Sequence, residues 1–155
     1  MSHQIGSVFC KFVEDTNTSK MQLTANFHLS EFIESVFFDA ESQKKVIELY
    51  NTNAEVRQNI LKLAKQLQVL RNHTGKAIHI NIAFRPLFWE LKQRRSGRSK
   101  HVKGLAADLK VKGMTSNQVF NEIEKLISLG KMMQGGLSAY STFVHYDIRG
   151  TRARW

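Results

Sequence analysis

The sequence has one cysteine, one proline and no long apolar run, and each scarcity excludes a class of protein. The lone Cys10 cannot close a disulfide within the chain, so the fold does not depend on one, and we expect synthesis in a reducing cytosol. One Pro and 9 Gly in 155 residues exclude collagen-like and low-complexity proteins. No stretch approaches the ~20 apolar residues of a membrane-spanning helix, so we expect no integral membrane segment. Residues 1–6 lack the basic-then-apolar layout of a signal peptide, so we expect none.

Apolar residues are plentiful, and positive charges are in excess. Hydrophobic residues make up 42% of the chain and aromatic residues 10%, which suffices for one packed core and excludes disorder throughout. The 23 Lys and Arg against 13 Asp and Glu leave a formal charge of +10. That charge favours polyanionic partners, namely nucleic acid, acidic membrane surfaces or anionic cell-wall polymers, without choosing among them. The basic clusters at 94–103 and 149–154 are equally typical of a solvated loop and a solvated terminus.

The spacing of apolar residues predicts most of the secondary structure. Helical spacing predicts three helices, over 26–39, 52–70 and 115–129, and the last two begin with the capping pairs Thr52/Glu55 and Thr115/Gln118. Strict alternation predicts four strands, over 78–84, 105–111, 137–140 and 143–149. A short turn of helix over 88–91 and a loop over 92–103 separate the first two strands.

These elements indicate an α+β fold, with a small, mostly antiparallel sheet and helices packed on one side. The length suits one domain. We expect that domain over 22–155, preceded over 1–21 by an N-terminal arm or an extra strand built on 8–13.

Three side chains with metal-binding chemistry lie on or beside two predicted strands. His101 precedes Asp108 by a His-x6-Asp spacing, which lets a loop imidazole and a strand carboxylate converge, and His145 comes from the last strand. Two imidazoles and one carboxylate suit zinc and leave a fourth position for water. A buried Asp within a strand is costly unless it is paired or binds a metal. The spacing leaves two other interpretations open: Asp108 in an ion pair with a nearby Lys or Arg, and His145 as a hydrogen-bonded core histidine.

The same residues fall in strings that resemble a known family. Residues 99–108 read SKHVKGLAAD, which resembles the S-x-H-x-x-G-x-A-x-D signature of the zinc D-Ala-D-Ala carboxypeptidase family. Residues 143–150 read FVHYDIRG and resemble the FVHxDxRG segment of its small cell-wall members. The strings INIAFR at 80–85 and FHLSEF at 27–32 resemble its arginine-ended strand and its opening helix. The resemblance runs in register from about residue 22 to residue 155. It implies the fold that this family shares with lysostaphin-type peptidases and the hedgehog signalling domain.

The resemblance implies a role for each matching residue. His101, Asp108 and His145 would bind Zn²⁺, which lowers the pKa of a water molecule and polarises the scissile carbonyl. Arg85 would stabilise the developing oxyanion, unless it is a surface arginine in an ion pair. Ser99 would hold its loop or contact substrate. From the residues themselves, Tyr140 is a candidate to line the substrate cleft, with a core role equally open.

Two departures from the family pattern affect the chemistry. Many members carry Glu or Asp three residues before the last histidine as general base, and Thr142 stands there in this chain. Asp147 is the replacement we expect, either as the base or as the carboxylate that orients a ligand imidazole. The loop before Ser99 reads RRSGR at 94–98, where related sequences carry Asn and paired Gly.

The function that we expect is hydrolysis of peptidoglycan stem or cross-bridge peptides by a zinc metallopeptidase of the carboxypeptidase or endopeptidase type. The small size and basic charge resemble phage lysis enzymes, made in the cytoplasm and acting on the cell wall. Anionic envelope polymers are further expected partners, and a monomer is the expected state. The alternative is a catalytically weak, zinc-containing basic protein that binds the cell wall or nucleic acid, although no nucleic-acid-binding motif is present.

Overall fold

The computed structural model describes residues 20–155. The arm or strand expected over 1–21 therefore lies outside the described residues, apart from its last two positions. No helix of residues 20–155 is long and apolar enough to cross a membrane.

The described elements form an α+β fold in which helices and strands are interspersed along the chain. Their order is β1 (Gln22–Thr24), β2 (Phe27–His28), α1 (Ser30–Ile33), α2 (Ala40–Thr52), α3 (Ala54–Thr74), β3 (Ile78–Ile82), α4 (Leu87–Lys92), a 3₁₀ helix (Lys100–Lys103), β4 (Ala106–Val111), α5 (Ser116–Ser128), β5 (Gly136–Ala139), β6 (Val144–Asp147) and β7 (Ala153–Arg154).

The main sheet has five strands in the order β3-β4-β6-β5-β7, and β1 pairs with β2 separately. All pairs in the main sheet are antiparallel except the parallel β5–β7 pair. The predicted α+β class with a mostly antiparallel sheet is confirmed.

The predicted helix over 26–39 is wrong for most of its length. Phe27–His28 is a strand, and the helix that follows is a single turn, Ser30–Ile33. The Glu31 carboxylate accepts a hydrogen bond from the backbone N–H of His28, the last residue of β2, and so stabilises the end of that strand. Glu34 is already extended, which ends the turn.

The sequence pattern predicted no element where helix α2 lies. The N-cap of α2 is Asp39, which the predicted 26–39 helix included as its last residue. The Asp39 side chain accepts from the Ser42 N–H at 2.7 Å. Helix α3 begins at Ala54 because Asn53 caps it by accepting from the Val56 N–H, so the predicted Thr52/Glu55 capping pair is wrong.

The cap of helix α5 is the predicted one. The Thr115 side chain accepts from the Gln118 N–H and the Gln118 side chain accepts from the Thr115 N–H, which is a complete capping box. Helix α3 ends at Gly75 with φ 66°, a left-handed conformation that glycine adopts without a Cβ clash.

One hydrophobic core joins the helices to the sheet. The stripe predicted on α3 is buried there together with the apolar side chains of α5 and of β3, β4 and β6; its members include Ile60, Leu63, Leu67, Ile123, Leu126, Ile80, Leu109, Val144 and Tyr146. Alternation along β4 and β6 turns the intervening side chains away from this set. Polar groups of the two central strands are thereby brought together on the other face of the sheet.

Candidate metal centre

The pairing of β4 with β6 places the first two polar groups face to face. Asp108 lies directly opposite His145 in the antiparallel register. Opposite residues in such a pair have Cβ atoms about 5 Å apart and side chains on the same face. The Asp108 Oδ1 atom is 3.2 Å from His145 Nδ1.

His101 reaches the same point from the 3₁₀ helix, which occupies the end of the predicted 92–103 loop. Ser99 caps this helix by accepting a hydrogen bond from the His101 N–H, and Gly104 ends it with φ 72°. The imidazole is almost completely buried, and its Nε2 lies 3.2 Å from Asp108 Oδ1. The loop prediction is therefore wrong over 100–103, where a capped 3₁₀ turn positions the His101 side chain.

Hydrogen bonds on the far side of each ring decide which nitrogen faces Asp108 with a lone pair. His101 Nδ1 lies 2.7 Å from the Ala83 carbonyl, which can only accept, so Nδ1 carries the proton. His145 Nε2 lies 2.8 Å from Asp147 Oδ2 and donates to that carboxylate. In the neutral rings, His101 Nε2 and His145 Nδ1 both present lone pairs toward the Asp108 carboxylate.

This donor set fits a zinc ion. The three ligand atoms lie within 4.8 Å of one another. The two 3.2 Å separations to Asp108 Oδ1 are close to the edge of about 3.3 Å of a tetrahedron with zinc bond lengths of about 2.0–2.1 Å. Far-side hydrogen bonds to a carbonyl and a carboxylate are the usual support of metal-ligating histidines.

The electrostatics of the cluster also favour a cation. Burial by itself would raise the pKa of Asp108, but the contacts with His101 and then His145 outweigh burial and hold that pKa below its ordinary range. Burial would lower the pKa of His145, yet Asp108 and Asp147 together raise it. A neutral ring offers Asp108 no donor at either contact, and burial penalises the additional charge of a protonated ring. A metal ion between the three groups would take the place of such a proton.

Asp147 is the most heavily hydrogen-bonded acid of the described residues around this site. Its Oδ2 accepts a hydrogen bond from His145. The Arg149 side chain donates to both oxygens, from Nε to Oδ1 at 2.8 Å and from NH2 to Oδ2 at 2.7 Å. The backbone N–H groups of Gly136 and Arg149 donate to Oδ1. Burial would raise the pKa of Asp147, but these donors, led by the Arg149 side chain, hold it below its ordinary range. Five donors use the lone pairs of two oxygens.

Sequence reasoning did not assign the residues that hold Asp147. A Cβ on Gly136 would collide with the Asp147 carboxylate, so the glycine permits this close approach, where the sequence suggested only a turn. Arg149 belongs to the basic cluster at 149–154, for which a solvated terminus was one interpretation. Its position two residues after Asp147, on the same face of the predicted strand, could have indicated the contact with Asp147. Arg154 of the same basic cluster is also ion-paired, to Glu124 at 2.7 Å.

Arg85 lies beside the cluster and is held by a residue that the sequence did not mark. Its NH1 is 3.9 Å from Asp108 Oδ2, and its NH2 donates to Ser99 Oγ at 3.3 Å. Its Nε lies 2.6 Å from Glu90 Oε1, an ion pair without aligned hydrogen-bond geometry. Glu90 is completely buried on α4. The Ser99 contacts are those of a residue that holds its loop and Arg85; contact with substrate stays a prediction.

A cleft of about 500 Å³ borders the cluster, and Arg85 and Asp108 are among its lining residues. Thr142 does not line this cleft but a separate cavity of about 520 Å³ together with Lys110. Of the described residues that line the cleft, Asp108 is the only acidic one. Within residues 20–155, no free carboxylate in the cleft therefore replaces the acid that other family members carry at the position of Thr142.

Aromatic residues border the cluster on the His145 side. Tyr140 is 43% exposed, stacks on Phe143 with ring centres 4.6 Å apart, and its hydroxyl accepts a hydrogen bond from Trp155 Nε1 at 2.8 Å. The Trp155 ring lies 5.0 Å from the His145 ring. The sequence pattern did not predict that Trp155 lies at the site, because the parallel pairing of β7 with β5 brings it there.

Comparison with known proteins gives one finding on the family. A family model described as Peptidase M15 matches residues 28–147 of this chain. The matched segment contains the three cluster side chains together with Arg85 and Asp147. No curated protein matches the sequence.

Proposed function

This chain belongs to the peptidase M15 family, and we propose that it is a zinc-dependent peptidase that hydrolyses peptide bonds of peptidoglycan. The observation that carries the proposal is the convergence of His101, Asp108 and His145 beside a cleft that also holds Arg85. A buried cluster of this kind without an adjoining cleft would indicate a structural metal site.

The chemistry divides between the metal ligands and the neighbouring arginine. A zinc ion held by His101 Nε2, Asp108 Oδ1 and His145 Nδ1 would act as a Lewis acid on the scissile carbonyl and lower the pKa of a water molecule. Arg85 is positioned to stabilise negative charge that develops on the carbonyl oxygen, since its guanidinium is permanently charged and faces the same cleft. Glu90 and Ser99 hold that guanidinium in place.

Of the two roles open to Asp147, its contacts support the orienting role. A general base needs a free lone pair within reach of the proton that it takes. Asp147 already accepts from Arg149, Gly136 and His145 and is completely buried. It fixes the His145 tautomer and ring orientation, as a carboxylate behind a ligating histidine does.

The substrate and the biological setting complete the proposal. The +10 charge supports attraction to anionic envelope polymers of the cell wall. We further propose a role as a phage lysis enzyme that acts on the wall after synthesis in the cytoplasm, and the basic charge supports this role. The proposal covers both carboxypeptidase and endopeptidase cleavage, because the same three ligands serve either.

The test is digestion of purified peptidoglycan, followed by mass spectrometry of the released muropeptides, with and without a chelator. We expect chelator-sensitive cleavage that zinc restores. His145→Ala should abolish cleavage, and His79→Ala is the matched control, because His79 is an exposed strand histidine outside the cluster. Zinc binding without any cleavage, together with salt-sensitive binding to wall polymer or DNA, would favour the alternative of a basic binding protein.

A further inference from the structure

The cleft beside the metal cluster carries a second arginine whose purpose the proposed function leaves open. Arg95 lines the cleft together with Arg85 and Asp108. It belongs to the segment in which this chain departs from the family pattern. Its side chain is about half exposed, so its N–H donors are accessible to a ligand.

Among the described residues at the cleft, two arginines share one buried carboxylate. Glu90 lies between two guanidiniums: its Oε1 is 2.6 Å from Arg85 Nε, and its Oε2 is 3.8 Å from Arg95 NH1. Arg85 is the nearer partner of this buried carboxylate, and Arg95 makes a looser ion pair with it, so N–H groups of Arg95 are left for a ligand. Glu90 and the two arginines together carry a net charge of +1, and Asp108, a ligand of the proposed metal, is the other charged residue of the cleft lining.

The backbone shows how Arg95 comes to this place. Arg94 has a positive φ of 57°, and the Arg95 N–H donates to the Glu90 carbonyl at 2.9 Å. A left-handed residue followed by a hydrogen bond back to the last helical turn is a common end of a helix. The chain thus turns sharply after α4 and returns Arg95 to the helix that carries Glu90, instead of letting it extend into solvent.

From this placement we infer that Arg95 binds a carboxylate of the peptide substrate and makes the enzyme selective for peptides that carry this group. The inference rests on the proposed function and deepens it by naming a substrate class. A guanidinium presents paired N–H donors that match the two oxygens of a carboxylate. The carboxylate is either the terminal carboxyl group of the stem peptide or the side-chain carboxyl group of an acidic residue within it.

The first experiment compares zinc-loaded enzyme on matched stem peptides, one with both carboxyl groups free and one each with the terminal or the side-chain carboxyl group amidated. A charge-assisted hydrogen bond to a half-exposed arginine is worth about tenfold at low salt. We expect kcat/KM to fall about tenfold for one of the two amides, which identifies the carboxyl group that is bound. Arg95→Ala should abolish that difference by slowing cleavage of the free acid alone, and Arg95→Lys should retain part of it.

Arg98→Ala is the matched control, because it removes the same charge from the same loop at an exposed residue outside the cleft lining. It should leave the acid-to-amide ratio unchanged. No preference between acid and amides in the wild-type enzyme, or an unchanged ratio in Arg95→Ala, would overturn the inference.

A binding experiment separates failure of this inference from failure of the proposed function. If no peptide is cleaved, the proposed function fails, and calorimetry on the metal-free full chain decides the role of Arg95. Metal is removed because zinc would itself bind a free carboxylate. The free-acid peptide should bind about tenfold more tightly than one amide, and Arg95→Ala should remove the difference. Equal or undetectable binding of acid and amides refutes the carboxylate site.

Discussion

Replacement of Asp147 by Asn tests whether Asp147 orients His145, because it changes the atom that contacts His145 Nε2. Asp147 only accepts hydrogen bonds, so His145 Nε2 must carry the proton and Nδ1 keeps the lone pair that faces Asp108. The Asn amide has the same shape but can donate. Its NH₂ group can turn to His145 Nε2 and move the ring proton to Nδ1, the nitrogen that the metal needs.

The structure sets the size of the effect. Loss of a carboxylate behind a ligating histidine costs 10- to 100-fold in metal affinity, or about 1.4–2.7 kcal/mol. Stability also falls, because the Asn leaves Arg149 without its anionic partner. Removal of one member of a buried ion pair costs ~3–5 kcal/mol. The Arg149 side chain is 25% exposed, and water compensates in part, so we expect about 2 kcal/mol.

The assay is competition for zinc against a chromogenic chelator, with thermal unfolding measured in parallel. Asp39→Asn is the matched control, because Asp39 is also ion-paired, to Lys92 at 3.0 Å, but lies at an exposed helix start. It should leave zinc affinity unchanged. Cleavage by Asp147→Asn should recover when zinc is supplied in excess. Unchanged zinc affinity with a turnover defect that excess zinc does not relieve would refute the orienting role and restore Asp147 as the base.

Three further changes probe the rest of the site and its support. Arg85→Lys keeps the charge but loses the planar donor pair, so kcat for peptide cleavage should fall roughly 10²-fold while zinc affinity in the chelator competition stays unchanged. Tyr140→Phe removes the hydroxyl that holds Trp155 beside the cluster, so KM should rise about fivefold with little change in zinc affinity. Hydrogen bonds from Arg154 hold the pKa of Glu124 at about 2, below its usual 4.5, so their stabilisation is complete above about pH 4.5 and is lost as the pH falls through 2. The free energy of urea unfolding of Glu124→Gln should therefore lie below that of wild type at pH 6 and converge with it near pH 2.

Each of these three has an outcome that contradicts it. Full activity of Arg85→Lys would remove the guanidinium geometry from the mechanism. An unchanged KM in Tyr140→Phe would assign the tyrosine to packing alone. A stability difference for Glu124→Gln that persists at pH 2 would show that the ion pair with Arg154 is not its source.

Prediction of the fold from sequence succeeded where a local pattern and burial agree. Helix α5 was found with its capping box at Thr115, because side chains three residues apart satisfy the first N–H groups whatever the rest of the chain does. The helix expected over 26–39 failed because the β1–β2 pairing and the Asp39 cap compete for the same residues. The spacing of apolar residues carries no information on either the strand pairing or the cap.

Prediction of the site also succeeded for residues in local patterns and failed for residues placed by long-range contacts. The three candidate ligands lie on strands or beside them with alternating patterns, and the structure brings all three together. Glu90 and Trp155 were not assigned, because each reaches the site through a contact with a residue distant along the chain or through strand pairing. Asp147 was assigned two roles, and only the number of donors around it separates them.

By itself, the sequence determined the α+β class, the faces of the central strands and the identity of the groups available to a metal, since strand alternation and side-chain chemistry are local properties. Only the tertiary structure decided which ring nitrogen of each histidine faces Asp108, how tightly Asp147 is held, and that Arg95 shares a cleft with Arg85. These depend on hydrogen bonds and ion pairs between separate strands, helices and loops. Such contacts exist only once the sheet order and register are set.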